Sequence, residues 1–137
     1  MGDPRGVGPE ITLKALAALL KEKDNWEYTI YGNPFLLEEL NDKLGIGCPL
    51  NHVTMEDSSV CLGDSLALNA ISWIEAGAPA CLSGKATALV TAPISKEEII
   101  RAGYDNFTGQ TEFLAEYSKI PHPVMMLLGT GPKGEWL

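Results

Sequence analysis

Apolar and polar positions along the chain alternate between helical and strand-like spacing. Residues 9–23 carry apolar side chains every three or four positions, which predicts a helix, and residues 35–44 repeat this pattern before Gly45. Residues 26–31 are rich in aromatic and β-branched side chains, which favours a strand, and residues 50–55 give a weaker strand signal. The first half of the chain therefore predicts helices alternating with strands.

The second half continues this alternation. A helix is predicted from residue 65 to residue 76, with Asp64 as its N-cap and Gly77 at its end. Apolar runs, turn residues and capping patterns predict further strands over residues 88–91 and 124–128, and further helices over residues 95–102 and 111–118. Continuously apolar strands indicate burial on both faces, so the predicted fold class is α/β with a mainly parallel sheet. Ligands of such folds bind beyond the carboxyl ends of the strands.

The pattern is interrupted at both ends of the chain. The glycine-rich loop at residues 2–8 opens a helix with no strand before it, and residues 135–137 begin a segment that does not continue. A sheet that lacks strands leaves unpaired edges, which proteins usually avoid. We therefore expect residues 1–137 to be a single, truncated α/β segment of a longer protein.

Composition and charge narrow the classes of function. The chain has 137 residues and a net charge of −8, which argues against nucleic acid as the main partner because phosphate backbones require a basic face. The three cysteines are odd in number and form no CxxC motif, so we expect neither a disulfide framework nor a zinc ribbon. With no signal peptide and no apolar run of membrane-spanning length, a soluble cytoplasmic protein is predicted.

Three loops could carry chemistry, and the first is GDPRGVGPE at residues 2–10. Gly6 and Gly8 would let backbone N–H groups approach an anion at the start of the helix, and Arg5 adds a positive charge there. The glycine spacing matches neither a dinucleotide-binding fingerprint nor a Walker A loop. A tight entry turn with a solvent-facing Arg5 explains the same residues and is favoured when the loop is taken alone.

The second and third loops also lead into predicted helices. In TAPISK, residues 91–96, Lys96 could hold an anion near a helix N-terminus, although a surface lysine is an equal explanation. In GQTEFLAEY, residues 109–117, Gln110 can donate and accept hydrogen bonds. Thr111 could bind an anionic oxygen or simply cap the helix.

Taken together and in order, these motifs resemble those of one family. MGDPRGVGPEITLKAL, ALVTAPISKEEI, FTGQTEFLAEY and VMMLLG resemble the 4-hydroxythreonine-4-phosphate dehydrogenases of pyridoxal phosphate biosynthesis, over residues 2–128. The resemblance implies a layered α/β/α fold related to isocitrate and isopropylmalate dehydrogenases, and a homodimer. It implies oxidation of 4-phosphooxy-threonine by NAD, then decarboxylation to 3-amino-2-oxopropyl phosphate. It also implies a divalent metal, held by three histidines, that polarises the substrate oxygen.

Single positions both match and depart from the family. The resemblance places the family's substrate-binding His-Thr pair on Gln110 and Thr111, so Thr111 matches, whereas Gln110 cannot titrate or carry charge. Lys96 matches the family motif, Ser95 replaces an asparagine, and Arg5 replaces a residue that is commonly small. A proton-handling role at position 110 is therefore in doubt.

The three metal-binding histidines of the family belong to its later sequence. The only histidines here, His52 and His122, have no second ligand at metal spacing, so we expect no metal on this chain alone and little or no turnover. Three alternatives stay open. One is a paralogue acting on another four-carbon acid 4-phosphate such as phosphothreonate, another is a non-catalytic anion- or nucleotide-binding remnant, and the last is an interaction protein that pairs its open sheet edges.

Overall fold

The computed structural model describes residues 1–22, 25–59, 66–131 and 134–136, and its chain divides into two units. Unit 1 is Met1–Phe107 and unit 2 is Thr108–Leu137. Within the described ranges, no helix is both long enough and apolar enough to cross a membrane.

Two helices of unit 1 are built as their sequence predicts. Helix α1 is Gly8–Leu19, and Pro9 fits its first turn because the N–H that proline lacks would have no helical partner there. Helix α2 is Pro34–Leu44; the Asn33 side chain accepts the backbone N–H three residues on at 2.9 Å. Gly45 ends α2 at a φ of +60°, a left-handed conformation that glycine adopts without steric cost. Both predicted helices are confirmed, although α1 ends at Leu19 and not near residue 23.

The predicted first and second strands are confirmed, but each is shorter than its apolar pattern. Strand β1 (Thr29–Tyr31) pairs in parallel with strand β2 (Thr54–Glu56). A 3-10 turn at Leu50–His52 takes up the first part of the predicted second strand. These two strands form the parallel sheet of the described chain. The α/β class is therefore confirmed, with a parallel sheet of two short strands.

The core of unit 1 joins α1, α2 and β1. Leu13 of α1 and Leu37 of α2 are both fully buried, and Ile30 of β1 lies in the same cluster. Cys48 also belongs to it, and burial raises the pKa of its thiol, as expected for a cysteine that acts as a small apolar residue. Asn41 holds the Cys48 backbone with two hydrogen bonds of 2.9 Å.

Helix α3 is Ala67–Leu82, and most of its residues are buried. The prediction that it ends at Gly77 is wrong, since the helix continues through Gly77 and Pro79. A Cβ on Gly77 would lie 3.2 Å from the Tyr31 ring, so this glycine permits close packing rather than a helix end. The predicted N-cap, Asp64, lies outside the described residues.

Two shorter helices follow. Helix α4 is Lys96–Arg101, and the Ser95 hydroxyl caps it by accepting the Glu98 N–H at 3.3 Å, as predicted. Helix α5 in unit 2 is Gln110–Tyr117 and begins one residue earlier than predicted. Also in unit 2, β3 (Gly129–Gly131) and β4 (Gly134–Trp136) form an antiparallel hairpin.

The strands predicted over residues 88–91 and 124–128 are wrong. Neither segment forms a strand. Val90 is 91% exposed, whereas its neighbours Leu89 and Thr91 are half-buried, and all five residues of 124–128 are exposed, Val124 at 90%. A strand exists only where another backbone takes its N–H and C=O groups, and a continuously apolar strand also needs cover on both faces. Within the part of the chain that the structure describes, residues 124–128 pair with no strand, and residues 88–91 are covered only in part.

Asp57 connects three parts of unit 1 where β2 ends. Its carboxylate accepts hydrogen bonds from the Asn33 side chain at 3.2 Å and from the Trp73 indole of α3 at 3.4 Å. It also accepts the Ser59 N–H at 2.9 Å and the Ser59 hydroxyl. Partial burial alone would raise the pKa of Asp57, but the hydrogen bonds from Ser59 and Trp73 outweigh it and lower that pKa.

Candidate functional site

The first glycine loop lies where the parallel strands end. The Met1 nitrogen donates a hydrogen bond of 2.9 Å to the carbonyl of Tyr31, the last residue of β1. The Gly32 N–H then donates to the carbonyl of Glu56, the last residue of β2, at 3.0 Å. Residues 2–10 therefore start from the carboxyl end of the sheet, the edge at which α/β folds bind ligands.

Asp3 organises this loop and is itself buried at 6% exposure. Its carboxylate accepts the backbone N–H of Arg5 at 2.9 Å, and its carbonyl accepts the N–H of Gly6 at 3.0 Å. These bonds make the tight, aspartate-centred turn that short polar side chains favour. The loop is thus an ordered entry turn into α1.

The first loop packs directly on the second. The Asp3 N–H donates to the Pro93 carbonyl of the TAPISK segment at 3.0 Å. Gly2, at a φ of +78°, makes this approach possible, because a Cβ there would lie 2.5 Å from the Pro93 oxygen. A Cβ on Gly8 would lie 2.6 Å from the Met1 oxygen, whereas one on Gly6 would meet nothing closer than 3.5 Å. Gly2 and Gly8 therefore serve contacts between protein backbones.

Arg5 is held between two carboxylates. Its Nη2 lies 3.1 Å from Glu98 Oε2 and its Nε lies 3.6 Å from Asp3 Oδ1, and its side chain is 40% exposed. Glu98 also pairs with Arg101 on α4. An anion at the start of α1 would have to compete with these carboxylates for the guanidinium.

Lys96 differs from Arg5 in this respect. It is the exposed first residue of α4. Among the residues that the structure describes, no carboxylate forms an ion pair with its ammonium group. Of the two cations singled out by sequence, Lys96 has the charge that is free to meet a ligand.

The third motif lies in unit 2. Gln110 and Thr111 are the first two residues of α5, and both are half-buried. Gly109 occupies the N-cap position in an extended conformation, and no side chain caps this helix. Capping therefore does not explain Thr111, so its hydroxyl remains a candidate ligand group.

Neither histidine lies in a cluster of ligand side chains. His52 is exposed in the 3-10 turn of unit 1, and His122 is exposed in unit 2. In the described ranges, no three His, Cys, Asp or Glu side chains are grouped as metal ligands would be. Since the chain has two histidines, it cannot supply the three-histidine set by itself.

Sequence reasoning missed the partners of the first loop. Asp3, Pro93 and Glu98 hold Arg5 and the glycines in place, but none of them was singled out. An aspartate followed by Pro-Arg-Gly is a recognisable turn signal and could have identified Asp3. The pairing of Arg5 with Glu98 joins positions far apart in the chain, and one sequence contains no signal for it.

Comparison with known proteins shows which protein family the chain matches. The family model described as pyridoxal phosphate biosynthetic protein PdxA matches residues 40–132. A 4-hydroxythreonine-4-phosphate dehydrogenase of Burkholderia vietnamiensis is 32% identical over 96% of this chain and 43% of its own length. The enzyme of that name from Thermosynechococcus vestitus is 34% identical over 100% of this chain and 43% of its own length.

Another relative has a different substrate in its name. A candidate D-threonate 4-phosphate dehydrogenase of Cutibacterium acnes is 30% identical over 96% of this chain. This chain covers 44% of that relative's length. The chain therefore spans less than half the length of the curated relatives it matches.

Proposed function

Because this chain belongs to the family of pyridoxal phosphate biosynthetic protein PdxA, we propose that it is the N-terminal part of a dehydrogenase for a small phosphorylated hydroxy acid. The observation that carries the proposal is the family match over residues 40–132. The complete protein oxidises the C3 hydroxyl of 4-phosphooxy-threonine with NAD. The resulting keto acid loses its carboxylate to give 3-amino-2-oxopropyl phosphate.

Within that reaction, we assign substrate contacts to residues of this chain. Lys96 binds the phosphate or the carboxylate of the substrate, since its ammonium group is exposed and has no ion pair in the described structure. Gln110 and Thr111 hydrogen-bond the substrate at the start of α5. Arg5 has the smaller role, because Asp3 and Glu98 already balance its charge.

Several wider features are parts of the same proposal. They are a layered fold like that of isocitrate and isopropylmalate dehydrogenases, a homodimer, a cytoplasmic location, and residues 1–137 as one segment of that fold. The divalent metal polarises the substrate oxygen in the complete protein. With two histidines, this chain does not fit a three-histidine metal site, so no step through the metal is assigned to its residues.

A second substrate is kept for a specific reason. Gln110 stands where the family has a histidine, and one relative is a candidate D-threonate 4-phosphate dehydrogenase. A neutral amide in place of a titratable ring changes which substrate groups can be hydrogen-bonded at this position. D-threonate 4-phosphate is therefore the alternative substrate.

The test joins this chain to the part of a relative that lies outside the match. In the chimaera, the chain replaces the matched 43% of the Burkholderia vietnamiensis enzyme, and NADH absorbance is followed with each of the two substrates. We expect NAD reduction by the chimaera and none by the 137-residue chain alone. A folded chimaera that is inactive with both substrates, beside an active relative, would contradict the proposal.

Variants of the chimaera test the assigned contacts. Lys96→Ala should raise KM at least about tenfold with a smaller effect on kcat, because a ground-state charge contact is removed. Lys43→Ala, an exposed lysine in the last turn of α2, is the matched control. Gln110→His should shift preference towards 4-phosphooxy-threonine. Equal KM values for the two lysine variants would remove Lys96 from the site.

A further inference from the structure

The first loop and the segment that carries α4 are joined at two points, one on each side of Lys96. At the first point, the Asp3 N–H donates to the Pro93 carbonyl at 3.0 Å. At the second, Nη2 of Arg5 lies 3.1 Å from Oε2 of Glu98. Lys96 stands three residues after Pro93 and two before Glu98. A segment held at both ends cannot turn about a single contact, so the backbone that carries Lys96 is fixed relative to the first loop.

Glu98 uses both of its carboxylate oxygens. Oε2 pairs with Arg5, and Oε1 accepts a hydrogen bond from Arg101, three residues further along α4. The Glu98 side chain is 29% exposed, and the next residue, Ile99, is fully buried. Because this carboxylate is already held by its own helix, a contact with Arg5 requires less ordering of side chains than a pair on an open surface.

The other side of the Arg5 guanidinium is also occupied. Its Nε lies 3.6 Å from Oδ1 of Asp3, a carboxylate whose side chain is 8% exposed. The same oxygen accepts the Arg5 backbone N–H at 2.9 Å. The charge of Arg5 is therefore balanced within the protein, and this residue is suited to holding α4 against the first loop rather than to binding an anion.

We propose that Arg5 is a positioning residue for Lys96, acting through Glu98 to hold α4 against the first loop. The proposal rests on the proposed function, in which the Lys96 ammonium group binds the phosphate or the carboxylate of the substrate. A lysine side chain is flexible and loses freedom when it binds, so a fixed backbone reduces what remains to be ordered. Arg5 itself does not touch the substrate.

The contact between Arg5 and α4 is tested first on the 137-residue chain, with no need for activity. Hydrogen exchange is followed at the amides of Ile99 and Ala102, whose helical hydrogen bonds are 3.1 and 2.9 Å long. Arg5→Ala should speed their exchange about two- to fivefold relative to the Leu37 amide of α2, because α4 loses one of its two attachments. An unchanged ratio would overturn the proposal.

Kinetics of the chimaera then separate positioning from direct binding. If Arg5 positions Lys96, Arg5→Ala and Glu98→Gln should both raise KM about threefold, with a smaller effect on kcat. If Arg5 instead bound the substrate anion, Glu98→Gln would release its guanidinium and lower KM. Glu97→Gln is the matched control and should not raise KM. It removes an equal charge from the neighbouring position, where the carboxylate pairs with Arg101.

A double-mutant cycle shows whether the effect passes through Lys96. In the Lys96→Ala background, Arg5→Ala should change KM by less than about 1.5-fold, because the group that Arg5 positions is gone. Effects that multiply, or a KM that falls in Glu98→Gln, would contradict the proposal. A chimaera that is inactive with both substrates before any substitution removes the proposed function and this role of Arg5 together. An active chimaera with the wrong pattern of KM values removes only the role of Arg5.

Discussion

Two regions that carry apolar side chains, the pair of helices α1 and α2 and residues 124–128, differ in the burial of those side chains. Leu13 and Leu37 are fully buried between α1 and α2, whereas Leu127 is 68% exposed. In the first region, helical spacing gathers apolar side chains on faces that meet each other within the same unit. In the second, the described chain brings no apolar face against the side chains, and all five of them are exposed. An apolar run thus predicts a requirement for burial, and burial follows only where a partner is present.

The largest expected effect compares these regions directly. Leu13→Ala should lower the free energy of unfolding by about 2–5 kcal/mol, because it leaves a cavity in the unit 1 core. Leu127→Ala should change it by no more than about 0.5 kcal/mol, because its side chain is already largely in water. Urea denaturation of both variants measures the difference. Similar losses would mean that residues 124–128 are covered in solution.

The second comparison separates backbone strain from close packing. Gly2 and Gly84 have nearly equal φ values of +78° and +76°, but only Gly2 has atoms within 4 Å of an added Cβ. Gly84→Ala should cost about 1 kcal/mol from φ alone. Gly2→Ala should cost at least about 2 kcal/mol, because it also separates the first loop from Pro93. Equal midpoints in urea would show that the contact between these loops contributes little.

The smallest expected effect on stability concerns Asp57, whose carboxylate at the end of β2 accepts hydrogen bonds from Asn33, which caps α2, and from Trp73 of α3. Its pKa is lowered in the folded chain, so its carboxylate stabilises the fold above its ordinary value of 3.8, and this contribution is lost as pH falls through the lower folded value. Because Asp57 is largely exposed, the contribution should be less than about 1 kcal/mol. Asp57→Asn should therefore flatten the acid limb of the stability curve, with Asp42→Asn as an exposed control. If the acid limb is unchanged in Asp57→Asn, the Asp57 carboxylate does not contribute to stability in this pH range.

Local structure in this chain could largely be read from the sequence. Ser95 caps α4 and Gly45 ends α2 as predicted, and Asn33, which was not predicted as a cap, caps α2 by the same kind of local contact. Each of these features depends on residues three or four positions apart, and that spacing is visible in one sequence. Gly77 was misread as a helix end because a glycine that admits a neighbouring ring looks the same in sequence as one that ends a helix.

The candidate site was predictable only in part. Its loops and candidate residues were identified, and they lie in ordered turns or at helix starts; their roles stay predictions. The loop geometry depends on Asp3 reaching Pro93 and on Arg5 reaching Glu98, contacts between distant parts of the chain. Such pairs depend on how the helices pack, so no local pattern encodes them.

The sequence by itself determined where the helices lie, the Ser95 cap, the Gly45 helix end, the α/β class and the ordered motifs of a dehydrogenase family. Only the tertiary structure decided that Gly2 and Gly8 make room for backbone, that Arg5 is paired while Lys96 has no ion pair among the described residues, and which apolar runs are covered. The physical reason is the distance along the chain over which each interaction acts. Propensity and capping act within a turn of the chain, whereas burial and ion pairing depend on what another segment brings into contact.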